Sequence, residues 1–491
     1  MTWRRLFRLA FAAALIGSRA SAHIGSPAVV FDGAAGPYAV RVIILPPPVI
    51  PGRAEINVRL LGDENEPVKV TVLPVNWRAG LKGAPPPDAA TPVPGEPALR
   101  HGELWLMGPG SYSVHVTVEG ARGRGTAIVP VVAQATQRLD MPAALGVLLA
   151  ILGLLLFFAA VTLMGLGTQE SILPPGAPFA AAQRRRGYLT MAIAAILLGA
   201  GIYGGKRWWD AVDRNYRSNE IYRPNPLAAT VRQAGDTRVL HLEVGRGGNF
   251  FRGRLLLIPD HGKLMHLFMI REPQLDAMAH LHPVRSGPRA FEVAVPPLPD
   301  GHYRLYADIT YETGYAATLT TAVDLNAAAG FPTATAAPTR DPDDAWSVAE
   351  PAASPAAGPR LVLAGRPVLR AGEDVSLGFA VQDEAGGPVD LEPYMGMLGH
   401  AAIRRSDGTV FAHVHPVGTI SMAAQDYFAA QAAGGQAPMD HRMHLHHGGT
   451  GNAVSFPYLF PQPGEYRMWV QTKVAGKVIT GVFDFTVAPG N

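Results

Sequence analysis

Two copies of His-x-His-Pro, His280-Leu281-His282-Pro283 and His413-Val414-His415-Pro416, concentrate the chemistry that this chain can offer. A lone histidine precedes each at nearly the same interval: His266 stands 14 positions before His280, and His400 stands 13 before His413. Residues i and i+2 of a β-strand share a face, about 7 Å apart along the backbone. Two imidazoles so placed can lean onto one ion. Short connections, Glu272–Asp276 and Ser406–Thr409, are the right size to fold each lone histidine back beside its pair. Three histidines then converge in each copy. Met278 shares a face with His280 and His282, while Met395 and Met397 precede His400.

Imidazole suits copper, zinc and nickel, and thioether sulfur favours Cu(I). The mixed donors make copper the expected metal and zinc the second choice. A further group, His441, His444, His446 and His447 around Met443, lies in a stretch suited to capturing metal at a rim. The plainer explanation is that a buried histidine bonds a carbonyl and methionine fills a core. Duplication weighs against it, because 13 of the 16 histidines and 9 of the 14 methionines fall between His241 and Met468. Taken singly, His241, His261 and His302 are read as ordinary histidines. Met265 and Met269 alternate with His266 and are read as core residues.

Composition narrows the classes. A chain of 491 residues with no cysteine has room for two to four domains and for no disulfide, thiolate site or cysteine nucleophile. A net charge of +3 gives no electrostatic case for nucleic acid. With 54 glycines, 44 prolines and 16% charged residues, short strands and turns are expected rather than long solvated helices.

Residues 1–22 have the form of a secretory signal: Arg4, Arg5 and Arg8, an apolar run from Leu9 to Gly17, then Ala20-Ser21-Ala22. Cleavage after Ala22 makes His23 a free N-terminus, whose amino group and ring can chelate Cu(II) as a histidine brace. His115, expected to be exposed by alternation in its strand, or His101 would complete it. Residues 141–167 and 188–205 are apolar enough to span a bilayer, joined by a loop, 168–187, that carries Arg184, Arg185 and Arg186. Arginines beside a span mark the cytoplasmic side. The flanking segments therefore belong outside, on the periplasmic or exterior face of a bacterial inner (cell) membrane.

Turn signals every eight to twelve residues predict three strand-rich units, at 23–139, 225–326 and 359–491, with 327–358 as a flexible linker. Gly110-Ser111-Tyr112, Gly301-His302-Tyr303 and Gly464-Glu465-Tyr466 open the penultimate strand of each, as in sandwiches with a tyrosine corner. The expected fold is mainly β: three immunoglobulin-like β-sandwiches and a two-helix transmembrane hairpin.

Pro393-Tyr394-Met395-Gly396-Met397-Leu398-Gly399-His400, His413-Val414-His415-Pro416 and Pro463-Gly464-Glu465-Tyr466-Arg467-Met468-Trp469 resemble the YtkA-like domains of exported bacterial proteins. Asp260-His261-Gly262, His266 and His280-Leu281-His282-Pro283 look like a divergent second copy. The resemblance implies immunoglobulin-like sandwiches in a metal-handling setting. His23 ahead of a sandwich is similar to CopC-type periplasmic copper proteins in that respect alone.

The expectation is a membrane-anchored, outward-facing copper binder for tolerance, storage or delivery, with the bilayer and a metal-receiving membrane or periplasmic protein as partners. It is not expected to be an enzyme. The alternatives are an envelope scaffold or sensing component without metal, and a copper oxidoreductase built on a brace at His23.

Overall fold

The structure, a computed structural model, describes residues 28–62, 66–170, 176–249, 255–326, 330–349, 358–365, 367–434 and 451–490. Residues 1–22, read above as a secretory signal, His23 and the His441, His444, His446 and His447 group lie outside them. The chain is mainly β, with two long apolar helices. The strand-rich parts form one compact unit, and Ala135–Tyr222 forms another.

The first sandwich holds β1 (Val29–Ala35), β2 (Tyr38–Leu45), β3 (Gly52–Leu60) and β4 (Lys69–Asn76). It continues with β5 (Asp88–Val93), β6 (Glu96–Leu106), β7 (Gly110–Gly120) and β8 (Gly123–Ala133). Their hydrogen-bonded order is β1-β2-β3-β6-β5-β4-β7-β8. The sequence reading did not anticipate β5. It buries only one of its six residues, so no alternating apolar pattern announces it.

The helical unit contains α1 (Ala143–Glu170) and α2 (Ala181–Asn215). At 28 residues, α1 is about 42 Å long, more than the roughly 30 Å of a hydrocarbon core. Leu148, Ile151, Leu152, Leu155 and Phe158 are exposed along it. Both helices run beyond the expected spans, and Arg184, Arg185 and Arg186 lie on the first turns of α2 rather than in a loop. Backbone hydrogen bonding carries a helix past the point where apolar sequence ends.

The second sandwich begins with β9 (Leu227–Ala234), β10 (Thr237–Val244), β11 (Leu257–Ile258), β12 (His266–Glu272) and β13 (Ala277–Leu281). It ends with β14 (Val284–Arg285), β15 (Ala290–Ala294), β16 (Gly301–Tyr311), β17 (Ala316–Leu325) and β18 (Ala345–Val348). One sheet runs β14-β15-β10-β9; in the other, β17-β16-β12-β13-β18, β11 adds to the end of β16. Part of the segment read as a flexible linker therefore folds as an edge strand, with Ala279 opposite Trp346 in β18. Ala345 is buried there, an anchor that the composition of the segment conceals.

The third sandwich comprises β19 (Arg360–Leu363), β20 (Leu369–Arg370), β21 (Asp374–Gln382), β22 (His400–Arg405) and β23 (Phe411–Val414). After α3 (Met422–Ala432) come β24 (Ala453–Leu459), β25 (Gly464–Val474) and β26 (Lys477–Ala488). Its sheets run β19-β21-β24 and β20-β26-β25-β22-β23. In the later two sandwiches the expected tyrosine corner is closed, by Tyr303 Oη donating to Pro299 O at 2.7 Å and Tyr466 Oη to Gln462 O at 2.8 Å. The glycine of the motif is required: Gly464 has φ 133, and a Cβ there would meet the Arg405 guanidinium.

Period-two alternation divides each of the site-bearing strands. Met265, Leu267 and Met269 are buried and alternate with His266 and Phe268, which place them on the opposite side of the sheet. In the third sandwich Ala401, Ile403, Ala412, Val414, Met468 and Val470 join one core. The alternate residues meet across the two sandwiches: Phe268, Ile270, Met278 and Tyr306 pack with Ala402, Phe411 and Trp469. Tyr306 stacks on Phe411 with centroids 3.9 Å apart. Arg404 reaches Glu272 and donates to Tyr306 Oη at 3.1 Å, while Arg467 donates to Leu275 O at 2.8 Å.

Cutting Phe411 to alanine removes a fully buried ring from this interface and should destabilise the detergent-solubilised chain by about 3–5 kcal/mol. Chemical denaturation followed by tryptophan fluorescence measures it, with a loss below 1 kcal/mol as the contrary result.

Candidate metal centre

The hairpin β12–β13 sets Phe268 opposite His280, and β22–β23 sets Ala402 opposite His413. In consequence, His266 and His400 each begin the strand beside their His-x-His pair. On the third strand of each ladder, Asp308 pairs with His266 and Gln471 with His400. The two halves correspond residue by residue, and the faces that carry them are the ones pressed together.

His266, His280 and His282 each bring one ring nitrogen within 4.8 Å of the others, and all three are buried. Every ring is tethered outward by its other nitrogen. His266 Nε2 donates to Asp260 O at 3.1 Å, His280 Nδ1 to Gln471 Oε1 at 2.9 Å, and His282 Nδ1 to Asp344 Oδ1 at 3.0 Å. A neutral imidazole has one N–H, so each inward nitrogen carries a lone pair. His266 Nδ1 and His280 Nε2 face one another at 3.1 Å, and His282 Nε2 is buried without a hydrogen bond.

The third sandwich repeats this arrangement. His400 Nε2 donates to Tyr394 O at 3.1 Å, and His415 Nδ1 to Ile420 O at 3.1 Å. His413 Nδ1 lies 3.4 Å from Asp308 Oδ2 in the neighbouring sandwich. Inward, His400 Nδ1 faces His413 Nε2 at 3.3 Å, and His415 Nε2 is buried without a partner. His261, from the second sandwich, converges with His400 and His415 within the same 4.8 Å. The two groups are one cluster, since the His413 ring lies 5.3 Å from His266 and 5.5 Å from His280.

Protonation would answer the facing lone pairs, but burial opposes it. Desolvation holds His280, His282, His400 and His413 well below the ordinary imidazole range, and neighbouring histidines deepen the shift. His415 is brought down to about 3, again by burial first. His266 is lowered by burial, with Asp260 acting in the opposite sense. Burial also pushes the acceptor carboxyls up, Asp308 to about 7 and Asp344 to about 6. Neutral rings with outward N–H bonds, as His266, His280, His282, His400 and His415 have, are the protonation state that metal ligation requires, and a carboxylate or carbonyl behind a ring is the usual support.

The other sequence candidates fall in different places. Met278 and Met397 are buried, the former among Phe268, Phe411 and Trp469. Met395 is half-buried at φ 50, at the tip of a turn before His400. His115 is not exposed as expected: it is 8% accessible, because both faces of β7 are covered, and its Nε2 lies 3.1 Å from Ser113 Oγ.

Several residues of the cluster escaped the sequence reading. His261 was set aside as ordinary, although aligning Asp260-His261-Gly262 with Tyr394-Met395-Gly396 places it at the position of Met395. Asp308 and Gln471 each lie seven positions after the glycine of the Gly-x-Tyr motif, a count that could have found both. Asp344 lay in the stretch read as linker. The turn after His415 is clamped by the first sandwich: Asp32 N donates to Val417 O and Thr419 N to Val30 O, both at 2.9 Å. Gly418 permits it, as a Cβ there would fall 2.0 Å from Val30 O.

Residues 226–327 and 356–489, which hold this centre, match the family described as a domain of unknown function (DUF8832). No curated protein matches the chain. Among solved structures it is similar, at 11% identity and a TM-score of 0.12, to three N-terminal domains of the highly immunogenic outer capsid protein (Hoc) of bacteriophage RB49. That match covers 54% of this chain and 59% of the other. The BSP domain of a biofilm-associated protein is matched at 8% identity over 98% of this chain and 69% of that one, with a TM-score of 0.14. Trypsin-activated alpha-2-macroglobulin from Escherichia coli is matched at 8% identity and a TM-score of 0.17, over 95% of this chain and 28% of that one.

Proposed function

We propose that this chain is a membrane-anchored copper-binding protein whose sandwiches face the periplasm, acting in copper tolerance, storage or delivery to a membrane or periplasmic acceptor. The observation that carries the reading is the convergence of inward imidazole lone pairs, His266 Nδ1 on His280 Nε2, beside the matching contact of His400 Nδ1 with His413 Nε2, in surroundings where burial opposes protonation. A scaffold has no use for lone pairs held 3.1 Å apart. A cation relieves them. Imidazole donors admit zinc as the second choice, while Met395, on the turn before His400, tilts the preference to copper. Arg184, Arg185 and Arg186 at the start of α2 give the connection between the helices a cytoplasmic side by the positive-inside rule, so the sandwiches on either flank are exported. His115 is buried with its Nε2 3.1 Å from Ser113 Oγ, which does not favour a brace at the N-terminus.

Full-length protein in detergent, stripped of metal and dialysed against micromolar copper, should retain copper by elemental analysis. The double variant His280→Ala, His413→Ala should lose it while keeping its circular dichroism spectrum. Wild-type protein that retains no copper contradicts the proposal. Gln471→Leu deletes the acceptor behind His280 and should weaken copper binding about tenfold to a hundredfold in a competition titration; unchanged affinity would count against the tautomer assigned to His280.

Acid provides a separate check. The folded chain holds these imidazoles neutral, whereas the unfolded chain protonates them below about pH 6.5. The histidine contribution to apo stability is therefore complete above that value and falls as pH drops toward the depressed folded values, about 3 for His415, while Asp308 and Asp344, raised by burial, act in the opposite sense. Melting temperature against pH should decline below about pH 6.5 in the apo protein, and bound copper should raise the melting temperature across that range. A flat apo profile between pH 7 and pH 4 would remove the burial argument.

A further inference from the structure

Resting on the metal reading above, we propose that the cluster holds two copper ions in unlike coordination, each completed by a side chain from the opposite sandwich. The Met395 thioether joins His266, His280 and His282, while His261 joins His400, His413 and His415.

The argument begins with two matching turns. Asp260 bridges Lys263 in one, and Tyr394 bridges Met397 in the other. His261 and Met395 both take φ 50, followed by Gly262 at φ 79 and Gly396 at φ 81. Left-handed backbone costs an L-residue on the order of 1 kcal/mol, and glycine or asparagine is the inexpensive occupant. A histidine and a methionine at this one position are thus held for their side chains. In each turn the preceding carbonyl, Asp260 O or Tyr394 O, anchors the lone histidine of its own sandwich at 3.1 Å. The tip residue can then reach across to the neighbour, and His261 Nε2 also lies 3.6 Å from Asp260 Oδ1.

For His261 this crossing is visible. Its ring lies 5.0 Å from His400 and 5.1 Å from His415, both in the other sandwich, and 6.1 Å from His266 in its own. Other pairs cross in the same sense, His280 to Gln471 and His413 to Asp308, joining equivalent positions of the two ladders. An approximate two-fold relation therefore connects the halves. The same operation that brings His261 to His400 and His415 brings Met395 to His266 and His282.

The two positions then differ in chemistry. Four imidazoles accommodate Cu(II) or Cu(I), whereas three imidazoles and a thioether favour Cu(I). The duplication has diverged at one ligand, giving a softer and a harder position within one buried cluster. Met278 sits in apolar packing, and neither it nor the buried Met397 is the sulfur donor of this proposal.

The test is copper stoichiometry with copper K-edge X-ray absorption on full-length protein in detergent, loaded with Cu(I) alone under a non-thiol reductant. Wild type should hold two copper ions per chain and show nitrogen scattering with a sulfur contribution of half an atom per copper. Met395→Leu should lose the sulfur signal, and His261→Met should double it. Copper bound through nitrogen alone, sulfur that survives Met395→Leu, or a capacity of one ion would overturn this inference and leave the copper reading standing. No copper uptake at all overturns both.

Discussion

Neutral imidazoles packed in a dry interface with their lone pairs turned toward each other are the constraint on which the later two sandwiches depend. Each unmade hydrogen bond at a buried nitrogen costs about 1–3 kcal/mol, and His282 Nε2 and His415 Nε2 are both left in that condition. A proton cannot be recruited cheaply, since desolvation opposes charge on His266, His280, His282, His400, His413 and His415. The outward nitrogens are committed to Asp260, Gln471, Asp344, Tyr394 and Ile420, so the rings cannot turn over without breaking a bond elsewhere. Stability given up at the centre is offset by the apolar packing around it.

That packing follows from alternation. One side of β12, β22 and their neighbours supplies the cores of the individual sandwiches; the other supplies a shared face of histidines at one end and Phe268, Tyr306, Phe411 and Trp469 at the other. The aromatic end presses the sheets together and Arg404 ties them through Glu272 and Tyr306. With the spacing so fixed, supporting groups can come from across the interface, as Gln471 and Asp308 do. A single sandwich would lack one of the three supporting groups behind its histidines. The first sandwich adds a clamp on the turn after His415, and α3 adds another, its Ser421 donating to Asp260 Oδ2 at 2.8 Å beside the carbonyl that anchors His266.

Much of this was legible in the residues. The spacing of His266, His280 and His282, and of their later counterparts, encodes a hairpin, which the backbone adopts, and a shared strand face, although His282 and His415 fall just past the ends of β13 and β23. The Gly-x-Tyr entries marked the penultimate strands because the tyrosine hydroxyl must reach a carbonyl four residues back. Face-to-face docking of the two sandwiches was not legible, since nothing in a strand pattern says whether its second face meets water or another sheet. His261 was missed for that reason: it serves the sandwich it does not belong to. Strand β18 and helix α3 were missed because Ala- and Pro-rich sequence carries little periodicity, and their anchors, Ala345 and Ser421, act through tertiary contacts.

Anomalous diffraction at the copper edge, from crystals of the full-length protein grown with copper, tests the central claim most directly. The account predicts density between the inward nitrogens of His266, His280 and His282, and again among His261, His400, His413 and His415, with Gln471 and Asp344 still accepting from the outward ones. Copper found only at the surface, with these rings turned to satisfy one another, would contradict it.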